Sequence, residues 1–268
     1  MLQEIVSYAN IFYDNIITET DLYSYENQVH RTLHVIEELE LTTFYPLVLY
    51  ILKEETNKES NLHLLEKYII RRAIANKTSK NYNNEVIDFI QDLNLLLDKA
   101  NNDTNNSEVE AGLLSIKNSK AALILFWLEL YRRSLDDRYA IKELKYNYSL
   151  EHVMPGKWQE FWLDVPVYDA NGVFVQDEEK AKEIRNSLIN SLGNMTLLTS
   201  KLNTSISNSN FQVKLNGNGR KKGIKQYADL SITKEIFLLD DGSERDSWDE
   251  VEIRNRNEWL CDEILSIW

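Results

Sequence analysis

The sequence predicts a mainly α-helical protein with a small α+β element in its second half. Three observations carry that expectation. Before residue 140 only one of the eight glycines, Gly112, and one of the three prolines, Pro46, interrupts the chain. That same stretch is filled with long amphipathic runs, which bury their apolar faces as helices. Beyond it the character changes, because Tyr146 and Tyr148 open a β-prone run and Asn194-Met-Thr-Leu-Leu198 offers a second strand. The sequence therefore divides into a helical domain over residues 1–140 and a second domain over 141–268.

Taken in order, apolar periodicity predicts helices at 3–18, 25–39, 43–55, 60–75, 84–99, 108–116, 119–134 and 137–145. Leu62, Leu64, Leu65, Tyr68, Ile69 and Ile70 make one broad apolar face, closed by Arg71 and Arg72. Those arginines suit either a phosphate or the negative end of the helix dipole. Asn101 to Ser107 reads as a polar loop with nothing to bury. Phe126, Trp127 and Tyr131 are spaced for one helix face and the core. His30 and His34 also share a face, but Arg31 stands where a His-Glu-x-x-His metal motif has its glutamate, so an ordinary helical pair is expected.

In the second half, Trp158, Phe161 and Trp162 are expected to pack on the core, with an exposed tip at Asp169 to Gly172. Ala181, Ile184, Leu188 and Ile189 mark a helix from Glu178 to Ser191, and Gly193 makes a tight turn before Asn194. Ser200 to about Ile206 has poor helix propensity, with Asn, Thr and Ser throughout, so a helix there needs a bound ion and tertiary packing to hold it. A last amphipathic helix runs from Trp248 to Trp268 with Val251, Trp259, Leu260, Ile264 and Leu265 on its apolar side. Arg254 and Arg256 in that helix suit phosphate or an ion pair with Asp249 or Glu250.

The candidate chemistry lies between these elements. Glu151 and His152 are adjacent where a strand runs into a loop, Asn194 follows after 42 residues, and Asn203 nine later. A carboxylate and an amide oxygen suit a hard cation such as Mg²⁺ or Mn²⁺, which polarises a phosphate, while a neutral imidazole activates water. A strand sends neighbouring side chains to opposite faces, so Glu151 and His152 approach one ion only at a strand end or twist.

Charge points to the same region. The chain has net charge −13, yet from Ile184 through Ala228 it has no Asp or Glu and seven basic residues. Of these, Lys201, Lys214, Arg220, Lys221, Lys222 and Lys225 are the candidates for contacting a nucleic-acid backbone, here DNA.

Glu-His-Val-Met-Pro from Glu151, Leu-Gly-Asn-Met-Thr-Leu-Leu from Leu192, and Asn203 with Phe211 and Lys214 together resemble the C-terminal HNH nuclease domain of GmrSD-type, modification-dependent restriction endonucleases. That resemblance implies a ββα-metal fold and DNA endonuclease activity in defence against modified or foreign DNA. It implies that His152 is the general base, Asn194 the central asparagine that braces the hairpin, and Glu151 and Asn203 the metal ligands. Phe44-Tyr45-Pro46 through Tyr82 is similar, more weakly, to the helical region before that core. Family members usually begin with an NTP-using domain carrying Asp-Gly-Gln-Gln-Arg, which this sequence lacks. The resemblance therefore implies an NTPase-like domain missing from this chain or on a partner chain.

Composition sets the outer bounds. A single cysteine, Cys261, excludes an internal disulfide and a multi-thiolate zinc knuckle, and its helical, partly apolar setting predicts a core thiol. No apolar run reaches the roughly eighteen residues of a membrane span, so no membrane association and a cytoplasmic location are expected. Two other classes fit the same sequence: a catalytically inert nucleic-acid-binding module, and a helical protein-interaction scaffold.

Overall fold

The computed structural model describes residues 2–17, 21–206, 208–219, 221–239 and 241–268. It is mainly helical with a few short strands. Two compact units interleave along the chain: Met1–Val109, Arg133–Tyr146 and Leu265–Trp268 form one, Glu110–Arg132 and Asn147–Ile264 the other. The change of character at residue 140 falls inside Arg133–Tyr146, a stretch that groups with the first unit.

In the first unit, α1 (Leu2–Phe12), α2 (Gln28–Glu38), α3 (Tyr45–Glu54) and α4 (Lys58–Ile74) lie close to the predicted spans. The helix expected at 84–99 is two, α5 (Tyr82–Gln91) and α6 (Leu93–Asn102). Asp92 between them is extended at φ −149° and its side chain accepts from Asn94 N, so it ends one helix and caps the next. The expected polar loop is tighter than its composition indicates. Asn105 and Glu108 cap each other's backbone N–H groups at the start of α7 (Asn106–Leu113), and Thr104 is buried with its carbonyl taken by Arg71.

The helix expected at 137–145 does not form. β1 (Tyr23–Ser24) pairs antiparallel with β2 (Glu143–Leu144), so residues distant in sequence win the backbone hydrogen bonds there. Arg71 and Arg72 are both buried: Arg71 donates to the carbonyls of Thr104 and Trp268, while Arg72 pairs with Asp103 at 2.6 Å. His34 is buried against Tyr23 at 4.2 Å between ring centres. Deeper still, Glu66 is fully buried and receives Arg31 at 2.9 Å and Trp268 Nε1 at 2.6 Å.

In the second unit lies most of α8 (Asn118–Leu135), whose Phe126 and Trp127 are fully buried, ring centres 5.4 Å apart. β3 (Tyr148–His152) pairs antiparallel with β4 (Met195–Thr199), and α10 (Ser200–Ile206) follows β4 directly. Between β3 and β4 come Trp158 and Trp162 in the core, with Phe161 packed against them, an exposed tip at Gly172, and α9 (Glu178–Leu188) capped by Asp177. After α10 follow α11 (Phe211–Asn216), the short antiparallel pair β5 (Gly217–Asn218) and β6 (Lys221–Lys222), α12 (Ser231–Lys234) and α13 (Glu250–Ile267).

α13 buries Ile253, Arg256, Asn257, Leu260, Cys261 and Ile264, while Trp259, expected on that face, is half exposed. Arg256 is buried and pairs not with Asp249 or Glu250 but with Glu235 at 2.7 Å, and it donates to the carbonyls of Gly193, Met195 and Ile232. Among the described residues no single helix is long and apolar enough to cross a membrane.

Candidate functional site

The β3–β4 register sets the site. Val153 N donates to Asn194 O at 2.9 Å, and His152 lies opposite Met195, Glu151 opposite Thr196 and Leu150 opposite Leu197. Antiparallel pairs alternate in where their backbone groups point. The carbonyls of Leu150 and His152 therefore face away from β4, along the free edge of β3. Both are taken by side chains from the helices that follow: Asn203 Nδ2 donates to Leu150 O at 2.9 Å and Lys214 Nζ to His152 O at 2.7 Å. Asn203 on α10 and Lys214 on α11 are thus fastened to β3 two residues apart.

Lys214 also donates to Glu151 Oε1 and is only 1% exposed. This corrects the expectation of Lys214 as a phosphate contact, since its ammonium is buried against a carboxylate. Burial raises the Glu151 carboxyl above its usual range, opposed by Lys214, and the same burial lowers the Lys214 amine, opposed by Glu151. His152 stands next along the strand, so its ring leaves on the opposite face from the Glu151 side chain. Burial and the nearby Lys214 charge lower its pKa from the ordinary imidazole value, against a hydrogen bond that the ring donates to the Asn190 side-chain oxygen. Its Nε2 is buried with no hydrogen-bond partner among the described residues.

Asn194 is fully buried, and all four of its hydrogen-bonding positions are filled. Its amide donates to Met154 O at 2.9 Å and Ile189 O at 3.0 Å, and its oxygen accepts from Met154 N at 2.8 Å and Trp248 Nε1 at 3.2 Å. A side chain so engaged braces the end of β3 against the start of β4. It has no group left for a reacting atom, so its place among catalytic residues becomes one of positioning.

The donor set fits a divalent cation in part. Asn203 spends its nitrogen on Leu150 O, and among the described residues nothing hydrogen-bonds to its oxygen, an atom suited to an oxygen-loving ion. Glu151 fits less well, because a doubly charged ion beside an ammonium about 4 Å away meets roughly 8 kcal/mol of repulsion at an effective dielectric of about 20. Among the described residues no three His, Cys, Asp or Glu side chains converge as a metal cluster.

The acid-free segment is also sorted by the fold. Arg185 is buried against Glu250 at 2.6 Å, and Lys225 pairs with Glu244 at 2.5 Å. Arg220 lies outside the described residues. Lys201, Lys221 and Lys222 remain exposed with no ion pair among the described residues, and all three line one cavity of about 310 Å³ together with Thr199, Leu202, Ser205 and Tyr227. Sequence reading missed Tyr227 and Asn190. Tyr227 had a signal, an aromatic closing a basic run, whereas Asn190 had none in an Asn-rich chain.

A helical chain that sets two antiparallel strands and a short helix around a buried Glu–Lys pair, an imidazole and a basic cleft has the makings of a phosphate-handling domain. The family model for the C-terminal domain of GmrSD restriction endonucleases matches residues 64–263, and the chain belongs to that family. No curated protein and no solved structure matches it.

Proposed function

We propose that this chain is a DNA endonuclease of HNH type, in which β3, β4 and α10 form the ββα element and His152 is the general base. One observation carries the reading: Asn203, fifty-one residues beyond His152, is bonded to the strand that bears it, two positions away at Leu150. His152 has the right chemistry, because a pKa held below 6.5 keeps the imidazole neutral and able to take a proton from water at neutral pH. Asn194 fixes the strand ends, and Lys214 holds the carbonyl that follows the His152 Cα. Mg²⁺ or Mn²⁺, when bound through the Asn203 oxygen, would polarise the phosphate. We place the activity in the cytoplasm, within a restriction system that also supplies an NTPase-like domain.

The test is nicking of supercoiled plasmid with Mg²⁺ or Mn²⁺ and with chelator. The wild-type chain is expected to nick and His152→Ala to lose at least about a hundredfold of the rate, as general-base catalysis contributes. Folding and DNA affinity should be kept. Full activity in His152→Ala removes the imidazole from the reaction. A second reading has its own support: with Lys214 neutralising Glu151, the domain binds DNA without cutting it. Salt-dependent DNA affinity with no nicking under any divalent cation would select it.

A further inference from the structure

The cavity between α10 and the β6 segment has two features in one place. Three lysines with no ion pair among the described residues, Lys201 on one wall and Lys221 and Lys222 on the other, give it positive charge, and no carboxylate is among the described residues that line it. Tyr227, 54% exposed, supplies an aromatic ring, and Lys222 Nζ lies 5.5 Å from the ring centre. Leu202 and the Thr199 side chain complete a partly apolar lining. At about 310 Å³ the space is at the lower end of small-ligand sites.

Duplex phosphates lie along a surface and ask only for exposed cations. The faces of paired, stacked bases are closed to a tyrosine ring. A concave site with an aromatic wall and cations on both sides suits a ligand that has both a phosphate and an open π-face. We propose that this cavity binds one unpaired nucleotide of a DNA strand, the base against Tyr227 and the flanking phosphates against Lys201, Lys221 and Lys222. Lys201, Leu202 and Ser205 of its lining neighbour Asn203 along α10, so it would hold the strand next to the helix that carries the proposed metal ligand. This inference rests on the nuclease reading above.

The experiment measures affinity by fluorescence anisotropy over a salt series, using the full chain carrying His152→Ala in chelator. Three probes are compared: a single-stranded oligonucleotide, the same strand with abasic sites throughout, and the duplex. Tyr227→Ala should weaken single-strand binding by about five- to a hundredfold, as loss of one stacked base does, and leave the abasic and duplex probes unchanged. Tyr227→Phe should bind as the parent does. Replacing Lys201, Lys221 and Lys222 by Gln should weaken all three probes and reduce the single-strand salt slope by about 2. If Tyr227→Ala has no effect, or weakens all probes equally, while the duplex is bound and the wild-type chain nicks it, the nucleotide site falls and the nuclease stands. Absence of salt-dependent binding to every probe overturns both.

Discussion

At the scale of single residues, the buried Glu151–Lys214 pair governs the site. Two charges taken out of water are tolerable together and costly apart. Lys214→Met should destabilise the fold by about 3–5 kcal/mol, and adding Glu151→Gln should recover much of that, both read from urea midpoints. A single Lys214→Met variant with an unchanged midpoint would show that the carboxylate has another counter-charge. Asn194 makes the contrasting case. Asn194→Ala strands two carbonyls, a backbone N–H and an indole N–H in the core, and should cost at least about 2 kcal/mol together with activity. His152→Ala, by contrast, should leave the midpoint close to wild type. An Asn194→Ala chain that stays fully stable but inactive would return that residue to the reacting groups.

Elements are placed by close approach as much as by propensity. Gly193 precedes β4 where α13 passes so near that an added Cβ would lie 2.1 Å from Ile253 O and 2.9 Å from Asn257 Cβ. The sequence reading gave Gly193 the role of a tight turn, but backbone contact with a helix sixty residues on is the stronger constraint. Gly193→Ala should therefore cost about 1–3 kcal/mol or more through overpacking, and should disturb the Asn194 brace and nicking with it. Wild-type stability in Gly193→Ala would show that α13 can shift without loss. α10 illustrates the converse. Its Asn, Thr and Ser residues favour helix weakly, yet it forms as expected from Ser200 to Ile206, held by Leu202 and Ile206 in the core and by Asn203 on β3.

Across the whole molecule, pH acts through buried and half-buried histidines. His34 has its pKa lowered by burial to about 4, and burial also lowers His63 and His152. In the unfolded chain these groups take up protons near pH 6.5, whereas the folded chain resists doing so. The unfolded state therefore binds more protons between about pH 6.5 and 4, and stability falls as pH drops through that window. His34 alone accounts for about 3 kcal/mol, so the urea midpoint should decline from pH 7 to pH 4.5 and decline less in His34→Phe. A midpoint flat over that range would contradict it. On the proposal that His152 is the general base, the same depression should move the acid limb of nicking below the range of an ordinary imidazole, as a pH–rate profile would show.

Much of the fold was legible in local pattern. Helical spacing in α1 to α4 and the two strand-prone runs stand where local pattern put them, because those signals act over a turn or a pleat of nearby residues, whereas the Ser200–Ile206 helix was expected from the family resemblance against a poor local propensity. The order Glu151, His152, Asn194, Asn203 and the family it resembles were also in the sequence. What the sequence alone did not determine was which charges are spent. Seven basic residues look alike along an acid-free stretch, but Arg185 and Lys214 are buried against carboxylates 65 and 63 positions away, Lys225 pairs with Glu244, and Lys201, Lys221 and Lys222 are left facing water. Pairing at that separation depends on which elements pack together, and only the tertiary structure brings those partners within reach.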